Sequence, residues 1–508
     1  MKHTIFILCA ILVLCASCND LLDQPAENVS YTEATDYTIQ ANMITPLYGV
    51  YAEFYNRGWE YAPLISVRGD DVNAGGLGDQ QDYAETDVYN YNKDFWMYNS
   101  IWKDGYKDVF FTLSAVDEIN KYREAGANSS LADQYIAETK TLRGFLLMNL
   151  TRTWGDIFWP TSSDPALMLL EGVTLREDML RHISDLMDEA IPYLPDANPG
   201  ERTDIRGGVT RYTALAIKAQ ANLDLKNYQA VADATTQIIQ SGKFELEPDF
   251  YALFCSIDKG KLNKETLLEW QYSDYGTAAG DLDTHLFGFY GPTSWAPKTG
   301  DISAGWGFYE PSLKFIKFML DRNETVRLTT SVLFTNRGIA ALKSDPSYAT
   351  LPSYVTNTTP SGDVINDYPR ALFASGKHYL PSDQITPGRK DYGCNKNYIC
   401  IRYAEVLLMY AEALTQGATG GSLTAAAAVN LLRSRAGLPA LSQVSHAQVM
   451  DEKFAELAME WGIRYYDMIR LEQYNELSYD GRTFDPSKAY LPYPQAQVDE
   501  LPALRAEK

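Results

Sequence analysis

The abundant aromatic side chains could bind a ligand by noncovalent stacking on a flat surface. The 508 residues include 35 Tyr and 9 Trp, and aromatic residues make up 12% of the chain. Tyr and Trp combine an apolar face with a polar edge, which suits both sugars and peptides. Helical repeats also use aromatic residues as core, so abundance alone does not decide between binding and packing.

The His, Cys and acidic residues do not occur at the spacings of known metal-binding or catalytic motifs. There is no His-x-His, HExxH or CxxC motif, and the five His are scattered: His3, His182, His285, His378 and His446. Among 66 acidic residues a chance carboxylate pair for glycoside hydrolysis always exists. Nothing resembles a hydrolase motif, so we predict no catalytic residue, no metal site and no cofactor.

The N-terminus predicts secretion and a lipid anchor. Lys2 precedes an apolar run from Ile5 to Ala16, and Ser17 and Cys18 follow. The run is too short to span a membrane, so we predict a signal peptide over 1–17. Its small-small-Cys ending resembles a bacterial lipobox, although Cys15 stands where Leu or Val is usual. Cys18 would then carry the lipid, with a tether over 18–35. The alternative is an ordinary signal with a chance Cys.

Acidic residues dominate the charge of the chain. The formal net charge is −22, which repels phosphate backbones and anionic lipids alike, so we predict no nucleic-acid partner and an anchor that must be covalent. Three Cys lie beyond the predicted signal and its cut. Cys394 and Cys400 could pair, which would leave Cys255 single, and the sequence leaves this open.

Helical periodicity recurs and predicts a mostly α fold. The predicted helices form pairs similar to tetratricopeptide units, with small residues where the helices cross. They cover 101–121, 131–154, 209–225, 228–241, 398–415 and 422–436, and a further apolar stripe runs from Phe454 to Ile469. Trp102, Trp154 and Trp461 fall on apolar helix faces and are predicted to be core.

Long irregular stretches interrupt the helices. They are rich in Gly, Pro, Asn and aromatic residues, and such loops are usually functional inside a compact domain. We predict one domain over 36–508, with a helical scaffold at about 36–55, 100–243, 311–343 and 398–475. A loop-rich lobe with short strands would occupy about 56–99, 244–310 and 344–397.

Several motifs in order resemble one family. They are IRYAEVLLMYAEA from Ile401, AVNLLRSRAGL from Ala428, ELAMEWGIRYYDMIR from Glu456, LPYP from Leu491 and, earlier, LRGF from Leu142 with WGD from Trp154. Together they resemble the SusD/RagB family of outer-membrane nutrient-binding lipoproteins over nearly the whole mature chain. Lys453 stands where the family usually has Arg, and the usual Asn-Pro-Gly-aromatic ending is missing.

The resemblance implies a function. Such a protein lies on the outer face of the outer membrane, covers a SusC-like TonB-dependent transporter and captures oligosaccharides without altering them. The RagB branch implies peptide capture instead, so a peptide ligand stays open. Two further functions also stay open, a surface glycoside hydrolase and a structural partner of the transporter without ligand affinity.

Family pockets lie in the irregular lobe, so the resemblance directs the candidate ligand contacts to loop residues. The candidates are Trp59, Asp70, Asn73, Tyr91, Trp96, Tyr290, Trp295, Trp306 and Tyr309. Among them Trp295 and Trp96 are preferred. The alternative for each Trp is that it only pins its own loop, and Asp70 with Asp71 is also consistent with a plain Asp-rich turn.

Charged residues of the family motifs are predicted to be structural. Glu460 with Arg464, Asp467 with Arg470 and Arg402 with Glu405 are one helical turn apart, a spacing at which side chains pair. We expect these charges to lock helices and loops together rather than to act as an acid or base.

Overall fold

The computed structural model describes residues 35–56, 66–76, 78, 80–273, 286–386 and 396–505. Within these ranges the fold is mostly helical, as predicted. In chain order the α-helices are α1 (Thr45–Tyr55), α2 (Gln81–Asp87), α3 (Trp96–Glu124), α4 (Ser129–Trp154), α5 (Pro165–Glu171), α6 (Arg176–Ala190), α7 (Arg211–Asp224), α8 (Tyr228–Gln240), α9 (Phe250–Cys255), α10 (Ile257–Gly260), α11 (Leu286–Tyr290), α12 (Leu313–Asp321), α13 (Val326–Ser331), α14 (Asn336–Lys343), α15 (Tyr403–Thr415), α16 (Ala425–Arg435), α17 (His446–Leu457), α18 (Ile463–Arg470) and α19 (Gln495–Glu500).

Consecutive helices of the scaffold pack on one another as an array of pairs. Helix α3 packs on α4, α4 on α6, α6 on α7 and α7 on α8, and α8 meets α15, which packs on α16 and α17. Residues close in sequence determine where helix α4 begins and ends. The Asn128 side chain caps α4 by accepting from Leu131 N at 3.0 Å, and Gly155 ends this helix at a positive φ of 79°. Trp102, Trp154 and Trp461 are buried, as predicted.

Two predicted helices differ from the structure at their ends. Residues 398–402 form a strand rather than the first turn of a helix, because they pair with a second strand. The apolar stripe from Phe454 to Ile469 is also not one helix. Met459, Trp461 and Gly462 have positive φ values, which an α-helix cannot include, so α17 ends before them and α18 begins after them.

Short strands lie among the loops of the lobe. They are β1 (Val72–Ala74), β2 (Thr266–Trp270), β3 (Trp295–Ala296), β4 (Tyr309–Pro311), β5 (Val332–Phe334), β6 (Val364–Ile365), β7 (Phe373–Ser375) and β8 (Tyr398–Arg402). They form four antiparallel pairs, β1 with β4, β2 with β8, β3 with β6 and β5 with β7. Each pair joins segments far apart in sequence, so the pairs hold the loops together.

A buried ion cluster joins the lobe to the scaffold. Arg402, at the end of β8, contacts Glu265 at 2.9 Å, Glu456 at 2.6 Å and Glu460 at 2.7 Å. Arg327 of α13 contacts Glu456 at 3.2 Å. Because all these side chains are removed from water, each charge depends on its partners.

The predicted ion pairs within helices form only in part. Arg470 pairs with Asp467 at 2.6 Å, as expected. Glu460 and Arg464 do not pair, because the chain turns between them, and Arg464 contacts Asp70 at 2.6 Å. Arg402 likewise reaches the cluster instead of Glu405, which accepts from Gln220.

Two kinds of feature, a membrane-spanning helix and a metal-binding cluster, are absent from the described residues. None of the helices in these ranges is both long and apolar enough to cross a membrane. In the same ranges, His, Cys, Asp and Glu side chains form no group of three that could hold a metal ion.

Candidate functional site

Two tryptophans of the lobe present large apolar surfaces to solvent. Trp96 is 49% exposed and Trp306 is 47% exposed. Two separate sets of ring contacts, one under each tryptophan, meet at α2, which carries Tyr83 of one set and Thr86, the hydrogen-bond partner of Tyr98 in the other. We call the two indoles and the rings that support them the aromatic face. Its rings are Trp306, Phe289, Phe308, Tyr83, Tyr98, Phe95 and Trp96. Exposed flat rings on a rigid support are suited to stacking against a planar or ring-shaped ligand.

A glycine turn holds Trp306 at one end of the aromatic face. Trp306 N donates to Gly288 O at 2.8 Å, and Gly307 N donates to Gly291 O at 2.9 Å. Phe289 and Phe308 stack beneath it with ring centroids 4.4 Å apart and planes 5° apart. Gly307 has a φ of 65°, and a Cβ there would collide with Thr293 Oγ1. The turn therefore requires glycine next to the exposed ring.

Helix α3 begins with Trp96 at the other end of the aromatic face. The Trp96 ring packs edge to face on Phe95 at 6.1 Å, and Phe95 packs on Tyr98 at 5.2 Å. The Tyr98 hydroxyl lies 2.7 Å from Thr86 Oγ1 of α2. Because both neighbours of Trp96 are buried, its ring is held from below while its outer side meets solvent.

Polar side chains lie on and near α2, the helix at which the two sets of rings meet. Asn90 Nδ2 donates to Glu85 at 2.7 Å and Asn92 Nδ2 donates to Asp82 at 3.1 Å, so exposed amides and carboxylates line α2. The exposed Arg370 lies beside Gly78, whose missing side chain leaves room for the guanidinium. Amides, carboxylates and guanidinium groups are the hydrogen-bonding groups that a hydroxyl-rich ligand needs.

A buried charge pair supports the polar residues from beneath. Arg482 Nη2 donates to Asp87 at 2.6 Å and to Asn73 Oδ1 at 3.0 Å, and the Tyr479 hydroxyl also donates to Asn73 Oδ1. Burial raises the pKa of Asp87 to about 6, although the charge of Arg482 opposes this shift. Asn73 is half-buried, and its Oδ1 accepts both of these hydrogen bonds.

Four of the predicted contact residues are buried within the protein, which corrects those predictions. Asp70 is enclosed by Arg464 and Lys314, which pair with it at 2.6 and 2.7 Å. Tyr290 and Tyr309 are fully buried core residues. Trp295, one of the two preferred residues, is 8% exposed, because its strand pairs with β6 and its ring packs on Tyr379. These side chains present almost no surface to a ligand.

The remaining predicted ligand contacts are partly exposed or lie outside the described residues. Trp96, Trp306 and Asn73 lie on or beside the aromatic face. Tyr91 is half-buried and donates through its hydroxyl to Lys488 O at 3.0 Å. Trp59, the predicted lipidation site Cys18 and Cys394 lie outside the described residues, whereas Cys255 and Cys400 are both buried.

Sequence reasoning missed Arg370 and Phe308. The only signal for Phe308 was its position in the same Gly-rich stretch as Trp306. Arg370 follows Pro369 in an irregular segment that pairs with nothing nearby in sequence, so its place beside Gly78 depends on the folded lobe.

Comparisons with known proteins agree with this architecture. The SusD family model matches residues 264–506. SusD-like protein P2 from Formosa agariphila is 25% identical over 501 residues, covering 94% of this chain and 92% of its own length.

Solved structures share the fold. Surface glycan-binding protein A from Bacteroides fluxus has a TM-score of 0.73 at 22% identity, over 91% of this chain and 96% of its own. Surface glycan-binding protein A from Bacteroides thetaiotaomicron in complex with laminarihexaose also has a TM-score of 0.73 at 22% identity. That match covers 91% of this chain and 98% of its own. The family match, the relative that covers 94% of this chain and the shared helical fold together support a protein of the SusD/RagB family.

Proposed function

We propose that this chain is a cell-surface lipoprotein that captures oligosaccharides and delivers them to a SusC-like TonB-dependent transporter in the outer membrane. The observation that carries the proposal is the aromatic face. It presents two half-exposed tryptophans on rigid supports, with amide and guanidinium groups beside them. A similar fold in complex with laminarihexaose supports a glycan as the ligand class.

Stacking explains how such a face can hold a sugar chain. Sugar rings carry apolar C–H surfaces that lie flat on indole rings, and removing this surface from water is favourable. Hydrogen bonds to hydroxyls in an open site add little net energy because water competes for them. We therefore expect Trp96 and Trp306 to supply most of the affinity, while Asn73 and Arg370 select among ligands. The ligand is bound and released unchanged.

Peptide capture is the less favoured function. A peptide that binds by adding a strand needs an exposed strand edge. The strands among the described residues are two to five residues long and form two-stranded sheets, so each strand keeps only one short open edge. These short edges offer little backbone for a peptide to pair with.

Calorimetric titration of the chain lacking residues 1–18 tests the proposal. The ligands are a panel of neutral oligosaccharides that includes laminarihexaose, and a mixed peptide pool. We expect saturable binding to one glycan class, weakened about tenfold by Trp306→Ala or Trp96→Ala, which corresponds to about 1.4 kcal/mol. Tyr193→Ala, a half-exposed aromatic residue after α6, is the control and should bind as wild type. Binding to peptides alone, or full affinity in both Trp variants, would contradict the proposal.

The anchor is tested separately. We expect full-length protein expressed in its native type of host to incorporate labelled palmitate and to co-purify with a transporter barrel. Cys18→Ala should abolish labelling. Labelling that survives this substitution would show that Cys18 is not the lipidation site.

A further inference from the structure

A cavity lies between the segment before α3 and residues 487–492, and none of its lining residues belongs to the aromatic face. Its volume is about 420 Å³, and we call it the cationic pocket. It is lined by Tyr91, Lys93, Ser487, Lys488, Tyr490 and Pro492. Two tyrosine rings and two ammonium groups therefore converge on a space large enough for about one sugar residue.

The charge of this pocket is opposite to that of the whole chain. Neither Lys93 nor Lys488 has a carboxylate of the described residues within ion-pair distance, whereas Lys107, Lys121 and Lys140 each pair with a glutamate. Lys488 Nζ lies over the Tyr91 ring at 5.8 Å. Two lysines without a direct ion pair to a described residue therefore line one cavity, in a chain with a formal net charge of −22.

A third cation lies behind Tyr91. The guanidinium of Arg68 is fully buried over the Tyr465 ring at 4.4 Å and makes no ion pair with a described residue. Burial raises the pKa of Tyr91, and the charge of Arg68 opposes this shift, so the two groups are in electrostatic contact. Asp485 is the acidic neighbour, but its carboxylate accepts from Ser487 N at 2.8 Å instead of pairing with Lys488.

The backbone fixes the cationic pocket relative to Trp96. Gln495 N donates to the Lys93 carbonyl at 3.0 Å, and Gln497 Nε2 donates to Asn99 Oδ1 at 2.9 Å. The segment before α19 is thereby joined to the start of α3. Lys93 of the pocket and Trp96 of the aromatic face thus belong to one segment, which these hydrogen bonds join to the segment around α19.

We infer that the cationic pocket binds an anionic sugar residue, a uronate or a sulfate ester, of the captured oligosaccharide. This rests on the proposed glycan capture and adds a ligand class to it. The ammonium groups of Lys93 and Lys488 would pair with the anion, and the rings of Tyr91 and Tyr490 would contact the sugar.

Matched ligands differing only in charge test this inference. Oligogalacturonate is compared with its fully methyl-esterified form, and a sulfated galactan oligosaccharide with its desulfated form, by calorimetry on the chain lacking residues 1–18. We expect at least one charged form to bind about tenfold more tightly than its neutral counterpart, with a preference that shrinks at high salt. The pair that shows the preference identifies the anion as carboxylate or sulfate.

Variants then place the site. Lys93→Gln/Lys488→Gln should abolish the preference for charge while leaving neutral ligands unaffected. Lys259→Gln/Lys343→Gln removes two exposed lysines elsewhere and should behave as wild type. No preference for either charged form, or a preference that survives in Lys93→Gln/Lys488→Gln, would overturn the inference.

The same titrations separate the two proposals. If Trp306→Ala weakens neutral ligands while the lysine pair has no effect, glycan capture stands and the cationic pocket does not. If the lysine pair abolishes the charge preference while the Trp variants bind as wild type, the pocket stands and the aromatic face does not.

Discussion

Arg402 is the residue whose loss we expect to cost the most stability. Burial alone would raise the pKa of Glu460, but the charges of Arg402 and Lys377 outweigh it and lower this pKa. Arg402→Met would leave the glutamates around it buried and only partly paired, which costs about 3–5 kcal/mol. Urea unfolding measures the change. Lys121→Met, which breaks an exposed ion pair with Glu118, is the control and should cost about 0–1 kcal/mol. Equal losses of stability in Arg402→Met and Lys121→Met would contradict the structural role of Arg402.

Glu269 gives the stability a dependence on pH. Burial raises its pKa to about 7, although Asn397 and Leu262 N, which donate to it, oppose the shift. The folded state therefore binds a proton more tightly than the unfolded state between about pH 4 and 7. Its contribution to stability is present at low pH and is lost as the pH rises through 7.

Glu269→Gln removes this titration, so we expect the variant to lose less stability than wild type between pH 5 and pH 8. The difference should be on the order of 1–3 kcal/mol, at about 1.4 kcal/mol per pKa unit. Urea midpoints at several pH values provide the measurement. Glu245→Gln, at an exposed site, should keep the slope of wild type, and an unchanged slope in Glu269→Gln would refute the assignment.

Residue roles in the lobe could be predicted only in part. Trp96 and Trp306 were selected because aromatic residues stand out in polar loops; both are exposed, and their contact with a ligand stays a prediction. Trp295 has similar neighbours in sequence but lies in a strand paired with β6, and Asp70 lies under Arg464, which is almost 400 positions away. No local pattern reports such distant partners, so burial in loops could not be predicted.

At the scale of elements, the turn before β4 sets the direction of Trp306. Gly307→Ala places a methyl group against Thr293 at a φ of 65°, so the turn must shift. We expect a destabilisation of about 1–3 kcal/mol together with weaker glycan binding, measured by urea unfolding and calorimetry.

Gly242→Ala is the matched control, because its φ of 65° is the same but no atom lies within 4 Å of the added methyl group. It should lose stability and keep full affinity for glycan. If Gly307→Ala also kept full affinity, the turn would not direct Trp306 as we describe.

Helices were more predictable than the places where they end. The 3.6-residue period identified α4, α7 and α8 nearly to their ends because each buries one face on the next helix. The break between α17 and α18 was missed because apolar residues continue through it. Positive φ values at Met459 and Trp461 are imposed by tertiary contacts, such as Asp71 accepting from Met459 N at 2.6 Å.

At the scale of the molecule, the scaffold and lobe should unfold together. The ion cluster of Arg402 and Arg327 connects β8 and α13 to α17, so separating the two parts would expose several buried charges. We expect one cooperative transition of the chain lacking residues 1–18, with coincident midpoints from circular dichroism and tryptophan fluorescence. Two resolved transitions would show that the predicted single domain is in fact two.

The pairing of β1 with β4 also governs the order of assembly. Val72 pairs with Pro311, and most of the scaffold lies between them in sequence. A chain that emerges from a membrane N-terminus first would thus expose β1 long before its partner arrives. Local helix pairs can form during that interval, because contacts close in sequence need little loop closure. The β1–β4 pair would then form only after Pro311 had emerged, so the aromatic face could not engage sugars before that point.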